Sequence, residues 1–202
     1  MEIKMITDGL IFDSKEFESL EGKMLIASRL SDDTCFAKSV IYLYAHDENG
    51  AIGIIINQRI GSLNLKDAIK FDSYRYKKYD KAFPVVFGGP VESSRFIILS
   101  LNKSKGTTSN IVRNNIKLHI DCDNYLNTYI SENSDDKFLV AKGVAVWESS
   151  QLESEIAENS WIVAEADADL IFSQRIKNKW DRVIKNIGVK DLSNLVSYTG
   201  EA

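Results

Sequence analysis

Two β-rich apolar runs meet across Asn49-Gly50, and this pairing constrains the fold more than any other feature of the chain. Residues 39–46 read SVIYLYAH and residues 51–57 read AIGIIIN, with the polar stretch HDENG (46–50) linking them. Asparagine and glycine tolerate the positive φ of tight turns, and β-branched and aromatic residues suit a pleated surface. The segment therefore predicts a β-hairpin.

The rest of the chain alternates strands and helices without a regular βαβ succession. Short strands are expected at MLIAS (24–28), VVF (85–87), FIILSL (96–101), NIKLHI (115–120) and WIVAEA (161–166). A longer one at FLVAKGVAVW (138–147) should bend or bulge at Gly143. Helices are expected over 63–69, capped by Asn64, and over 123–133, with one or two helical turns near 14–22. A third begins after Ser150, with Glu153 completing a capping box. The last runs over 174–188, where Ile176, Trp180, Val183, Ile184 and Ile187 form one apolar stripe ahead of Gly188. Residues 71–83 and 102–110 read as polar connections. A mixed α+β domain is the expectation.

Composition bounds the function. The 202 residues suffice for one sizeable core, and a net charge of −4 argues against broad electrostatic binding to nucleic acid or anionic lipid. The longest apolar runs, VIYLYA (40–45) and III (54–56), are strand-sized and far short of a membrane span. The N-terminal MEIKMITDGLIF lacks the apolar core of a signal peptide. Cys35 and Cys122, far apart and without Cys-x-x-Cys spacing, read as free thiols of a reducing compartment, so a cytoplasmic setting is expected.

Several segments, taken together and in order, resemble the AlgH/YqgE family of bacterial proteins. They are LIAS (25–28), SVIYLYAHDENGAIGIIIN (39–57), VFGGPV (86–91), Trp147 followed by SQLESEIAENSWIVA (150–164), LIF (170–172) with Trp180, and the final Gly-x-Ala (200–202). The resemblance covers residues 22–202, leaving 1–21 as an N-terminal extension. It implies an α+β fold with a small closed β-barrel and a branching mixed sheet surrounded by helices. The family is largely uncharacterised, and some members carry a transcriptional-regulator label. Two departures stand out. The family's Tyr-Ala-Gly-Trp-Gly is here Val-Ala-Val-Trp147-Glu148, and its closing Gly-His-Ala is Gly200-Glu201-Ala202.

Gly88, Gly89, Ser93, Ser94 and Arg95 could offer amides, hydroxyls and a cation to an anion. No Walker lysine or helix start follows, however, and Glu92 would repel phosphate. The loop reads mainly as a strand connection in which Pro90 fixes φ. His119 and Cys122, three apart, do not by spacing make a nucleophile–base pair, and no metal or cofactor is expected. Glu148, Glu153, Glu155 and Glu158 read as favourable surface charges near a helix N-terminus. Arg175, Lys177, Lys179, Arg182 and Lys185 read as the solvated back of a core-packed helix.

The candidate ligand-binding residues are then Asn57, Gly88, Gly89, Arg95, Trp147 and Gln151. The leading expectation is a non-enzymatic cytoplasmic regulator that acts indirectly through a protein or small-molecule partner. One alternative is an enzyme with a cleft near Gly88-Gly89 and Gln151-Glu153. Another, least favoured, is direct DNA binding through residues 175–187.

Overall fold

The structure, a computed structural model, describes residues 17–28, 35–64, 82–101, 115–132, 134 and 136–187. Among the described residues nine strands form one mixed sheet. They are β1 (Lys23–Ala27), β2 (Val40–Asp47), β3 (Gly50–Ile55), β4 (Arg59–Asn64), β5 (Ala82–Phe87), β6 (Val91–Leu101), β7 (Ile116–His119), β8 (Phe138–Glu148) and β9 (Trp161–Glu165). The helices are α1 (Cys122–Ser131), α2 (Gln151–Ala157), α3 (Ala168–Ile171) and α4 (Lys179–Ile187), with a 3₁₀ turn at Ile176–Asn178.

The expected hairpin is present: β2 and β3 pair antiparallel from Ile41 opposite Ile55 to Asp47 opposite Gly50, with a bulge between Leu43 and Ala45. At the turn Gly50 takes the positive φ of +136°, and the Asp47 carboxylate accepts the Asn49 N–H at 2.8 Å.

The sheet runs in the order β4-β5-β8-β3-β2-β1-β9, with β6 branching from β8 and carrying β7. Strand β8 makes the branch. Up to Lys142 it pairs parallel with β5, and up to Val144 it pairs antiparallel with β6; from Ala145 to Glu148 it pairs antiparallel with β3. Gly143, whose φ is +76°, lies in this change of partner, so the bend read from the sequence is where the sheet branches. The branching mixed sheet is therefore present, but among the described residues the small closed barrel is not. The strand path starts at β4 and ends at β9 without closing.

The sheet's two faces carry separate cores. On one, Met24, Ile26, Val40, Tyr42, Ile54 and Ile56 pack with Leu170, Ile171, Phe172, Ile176, Trp180, Val183 and Ile184. The Trp180 indole N–H donates to Ala27 O at 3.1 Å, fastening α4 to the end of β1. On the other face Leu25, Ile41, Leu43, Ile55, Trp147, Leu152 and Trp161 cluster beneath α2. A third cluster, Phe83, Val85, Ile98, Leu126, Phe138 and Val140, lies under α1, whose N-cap Asp121 accepts the Asn124 N–H at 3.0 Å.

Two expectations need correction. Residues 59–64 form a strand, so Asn64 ends β4 and does not cap a helix; residues 65–70 lie outside the described set, as do 71–81 and 102–114. Strand β5 is longer than expected and includes Pro84, whose missing N–H is tolerated because pairing with β8 starts only at Val85.

Candidate functional site

Among the described residues a dense group of interacting polar side chains surrounds α2. Glu155 accepts the Trp147 indole N–H at 2.9 Å and the Trp161 indole N–H at 2.7 Å on one carboxylate oxygen. Its other oxygen accepts from the Gln151 side-chain amide at 2.9 Å. Gln151 in turn accepts the Glu148 backbone N–H at 2.9 Å, which ties the end of β8 to the first turn of α2. Both indoles are buried, and their rings meet edge to face at 6.0 Å with Phe36 alongside. A buried indole needs an acceptor for its one N–H. Glu155 supplies it to two indoles at once, so this carboxylate is a structural tie and not the free surface charge expected.

Glu153 also departs from expectation. Ser150 sits at the helix N-cap with φ +63° and makes no side-chain capping bond. A capping hydroxyl reaches the first-turn amides from an extended backbone, which this turn does not have. Glu153 instead bonds His46 Nε2 at 2.8 Å, across 107 residues of sequence. His46 Nδ1 accepts the Leu20 N–H at 2.8 Å, which assigns the proton of a neutral ring to Nε2.

The remaining candidates take structural roles. Asn57 Oδ1 accepts the Val40 N–H at 2.8 Å and its Nδ2 donates to Lys38 O at 2.7 Å, locking the entry to β2. Gly88 and Gly89 lie against β8: the Gly88 N–H donates to Lys142 O at 2.8 Å, and Gly88 O accepts from Ile55 N at 2.9 Å. Arg95 is exposed and paired with Glu92 at 2.9 Å. Gly88 thus bonds to β8 and β3, while Gln151 and Glu153 bond to Glu148, Glu155 and His46. Their hydrogen bonds run to different partners.

At the other end of the sheet Ser100 Oγ lies 2.8 Å from His119 Nε2, a contact the sequence analysis did not anticipate. Burial and nearby Lys117 hold the His119 pKa below its ordinary value. Burial, with Asp123 and Asp121, pushes the neighbouring Cys122 thiol up to about 11, the opposite of an activated thiolate. Both cysteines are free. Among the described residues no group of three or more His, Cys, Asp or Glu is placed to hold a metal ion.

The basic helix is less basic on its surface than its sequence. Lys179 is wholly buried and donates to Ile171 O at 2.7 Å, and burial drives its pKa down to about 7. Lys179 is therefore part of the packed side. Arg175, Lys177, Arg182 and Lys185 remain exposed.

The sheet also carries an exposed apolar row that the sequence pattern does not reveal. Ile52 on β3 stands opposite Val146 on β8, and Val144 stands opposite Val91 on β6. Ile52 (39% exposed), Val146 (44%), Val91 (42%) and Phe96 (42%) all meet solvent, and Val144 is half-buried. Ile52 lies two residues from Ile54, so the row continues the core face that α4 covers elsewhere.

A branched mixed sheet with helices on both faces, and a Trp-x-x-x-Gln-Leu-Glu junction tying its central strand to a short helix, defines a particular class of α+β protein. The family model described as AlgH-like (DUF179) matches residues 24–191, and the chain belongs to that family. Among similar proteins, the UPF0301 protein of Buchnera aphidicola subsp. Baizongia pistaciae is 36% identical over 188 residues, covering 91% of this chain and 98% of that protein. A UPF0301 protein of Aliivibrio salmonicida is 34% identical over 187 residues, covering 91% and 99%. The solution structure of the AlgH protein from Pseudomonas aeruginosa superposes with a TM-score of 0.65 at 27% identity, covering 93% of this chain and all of that one. The fold also matches a Corynebacterium diphtheriae protein at a TM-score of 0.54 and 19% identity, over 85% of this chain and 89% of that one. No helix among the described residues is long and apolar enough to cross a membrane.

Proposed function

We propose that this chain is a cytoplasmic regulatory protein that influences gene expression indirectly, by binding another protein. The observation that carries the reading is the row Ile52, Val146, Val144 and Val91. Contiguous exposed apolar surface on a sheet marks an interaction site more often than scattered apolar residues do. Around it stand Glu148 beyond Val146, Lys142 with its ammonium over the Phe96 ring, and the Arg95–Glu92 pair. An apolar centre with a rim of both charge signs suits a protein surface with an apolar centre and a mixed polar rim. It does not suit nucleic acid or anionic lipid, which call for a cationic face. The two free thiols agree with a reducing compartment.

The test is complementation of a deletion strain with the wild-type chain or with Ile52→Lys/Val146→Lys, read by transcript profile. Both positions are solvent-facing, so the variant should melt close to wild type and yet fail to restore the profile. Full restoration by the folded variant would sink the proposal.

A further inference from the structure

We infer that Asn49 is a site of spontaneous covalent modification, with the Gly50 nitrogen as its nucleophile and the closed hairpin turn as its brake. Asn49-Gly50 is the chain's one Asn-Gly pair. Asn49 is exposed at the tip of the β2–β3 hairpin. The Asp47 carboxylate holds its backbone N–H at 2.8 Å, whereas its side-chain amide has no hydrogen-bond partner among the described residues.

The step is a ring closure. The Gly50 backbone nitrogen gives up its proton to solvent and attacks the Asn49 side-chain carbonyl carbon. The side-chain nitrogen takes up a proton and leaves as ammonia, and a cyclic imide remains. Water then opens the ring at either carbonyl, giving aspartate or isoaspartate, in which the main chain runs through the former side chain. No group is oxidised or reduced, and water is the sole co-reactant. A side chain on the following residue would crowd the attacking nitrogen, and glycine has none.

The fold retains this pair and restrains it. A Cβ at Gly50 would overlap the Trp147 carbonyl oxygen, and a φ of +136° is one that other residues rarely adopt. The glycine that leaves Asn49 open to attack is thus the one the sheet requires. Gly50 stands in register with Asp47 on β2 and with Glu148 on β8, and the Ser149 hydroxyl donates to Glu48 O at 2.7 Å. Both neighbours of Asn49 are tied down, so the nitrogen reaches the side chain only when the turn opens. The two products then differ in consequence. Aspartate keeps the main chain at its length and adds a negative charge beside exposed Asp47 and Glu48. Isoaspartate lengthens the main chain by one carbon just before Gly50, where β3 meets both its neighbours. That extra atom pulls Gly50 and Ala51 out of register with Glu148 and Trp147.

The experiment is incubation of the full chain at neutral and mildly alkaline pH, folded and in urea, followed by peptide mapping with mass spectrometry. The peptide holding Asn49 should gain the mass of an amide turned to a carboxyl, faster at alkaline pH and at least tenfold more slowly folded than in urea. A tenfold difference corresponds to about 1.4 kcal/mol of local closing. Hydrogen exchange on the aged, folded chain should show the Ala51 and Ile52 amides losing protection in the isoaspartyl molecules. An Asn49→Asp variant, with its main chain unlengthened, should keep that protection. An Asn49 that stays intact in the folded chain would overturn the inference. So would equal rates folded and in urea, or isoaspartyl molecules that protect Ala51 and Ile52 as the fresh chain does.

Discussion

A side chain at Gly88 would occupy the space of the Gly143 carbonyl oxygen. The same crossing leaves no room at Gly89, where a Cβ would overlap the backbone of Val144 and Ala145 at a φ of +153°. The backbones of β5, the following turn and β8 pass here without intervening side chains. Gly89→Val is therefore expected to cost a few kcal/mol, because backbone overlap adds to the roughly 1–3 kcal/mol of an unfavourable φ. Denaturant melts measure it; a near-wild-type midpoint would show that the crossing can relax.

Arg95→Ala should do very little. Its partner Glu92 is as exposed as Arg95 itself, and an exposed pair contributes roughly 0–1 kcal/mol. Melts with and without added phosphate should coincide for both chains. Phosphate stabilisation that vanishes in Arg95→Ala would restore the anion-site reading of this loop.

Glu155→Ala should be among the most damaging changes outside the apolar core. It strands two buried indole N–H groups, each of which costs about 1–3 kcal/mol when unsatisfied, while the exposed Gln151 amide turns to water. Glu155→Gln, which keeps an oxygen acceptor, should be milder. Tryptophan emission and thermal melts report both. Equal stability of Glu155→Ala and wild type would mean that water replaces the carboxylate.

Lys179 makes stability depend on alkaline pH. Its pKa is about 7 when folded and 10.5 ordinarily, so between these values the unfolded chain binds more protons and stability rises with pH. Below about pH 7 both states are protonated and the full penalty of a buried ammonium applies. Lys179→Met should remove that rise, giving a more stable protein than wild type at pH 6 and a similar one near pH 10. The difference between the two pH–stability curves is the measurement; parallel curves would mean that the ammonium reaches water in the native state.

The elements legible in the sequence were those whose side chains sort by burial. The β2–β3 hairpin, the bend of β8 at Gly143 and the stripe of α4 each follow from apolar patterning or a glycine with a mechanism. Strand β4 was not legible, because Arg59 to Ser62 are exposed and the strand is held by backbone pairing with β5. The His46–Glu153 contact carries no periodic signal, since its partners meet only through the fold. Lys179 could have been found. It lies three residues after Ile176 and four before Val183, on the apolar stripe, and counting it with the basic residues hid that position. Likewise, Trp147 and Trp161 flanking a glutamate-rich helix hinted that their indoles would need an acceptor.

The branching of β8 has a consequence for how the chain is made. Strands β3, β5 and β6 are all translated before the residues that join them, 138–148, leave the ribosome. At synthesis rates of about 5–20 residues per second, the apolar arms of the early hairpin wait several seconds for their shared neighbour. β1 waits longer still, since its outer edge is completed only by β9. Nascent chains of this architecture therefore leave these apolar strands without their shared neighbour for about half of elongation. The span from residue 50 to residue 148 is the interval over which a chaperone has something to hold.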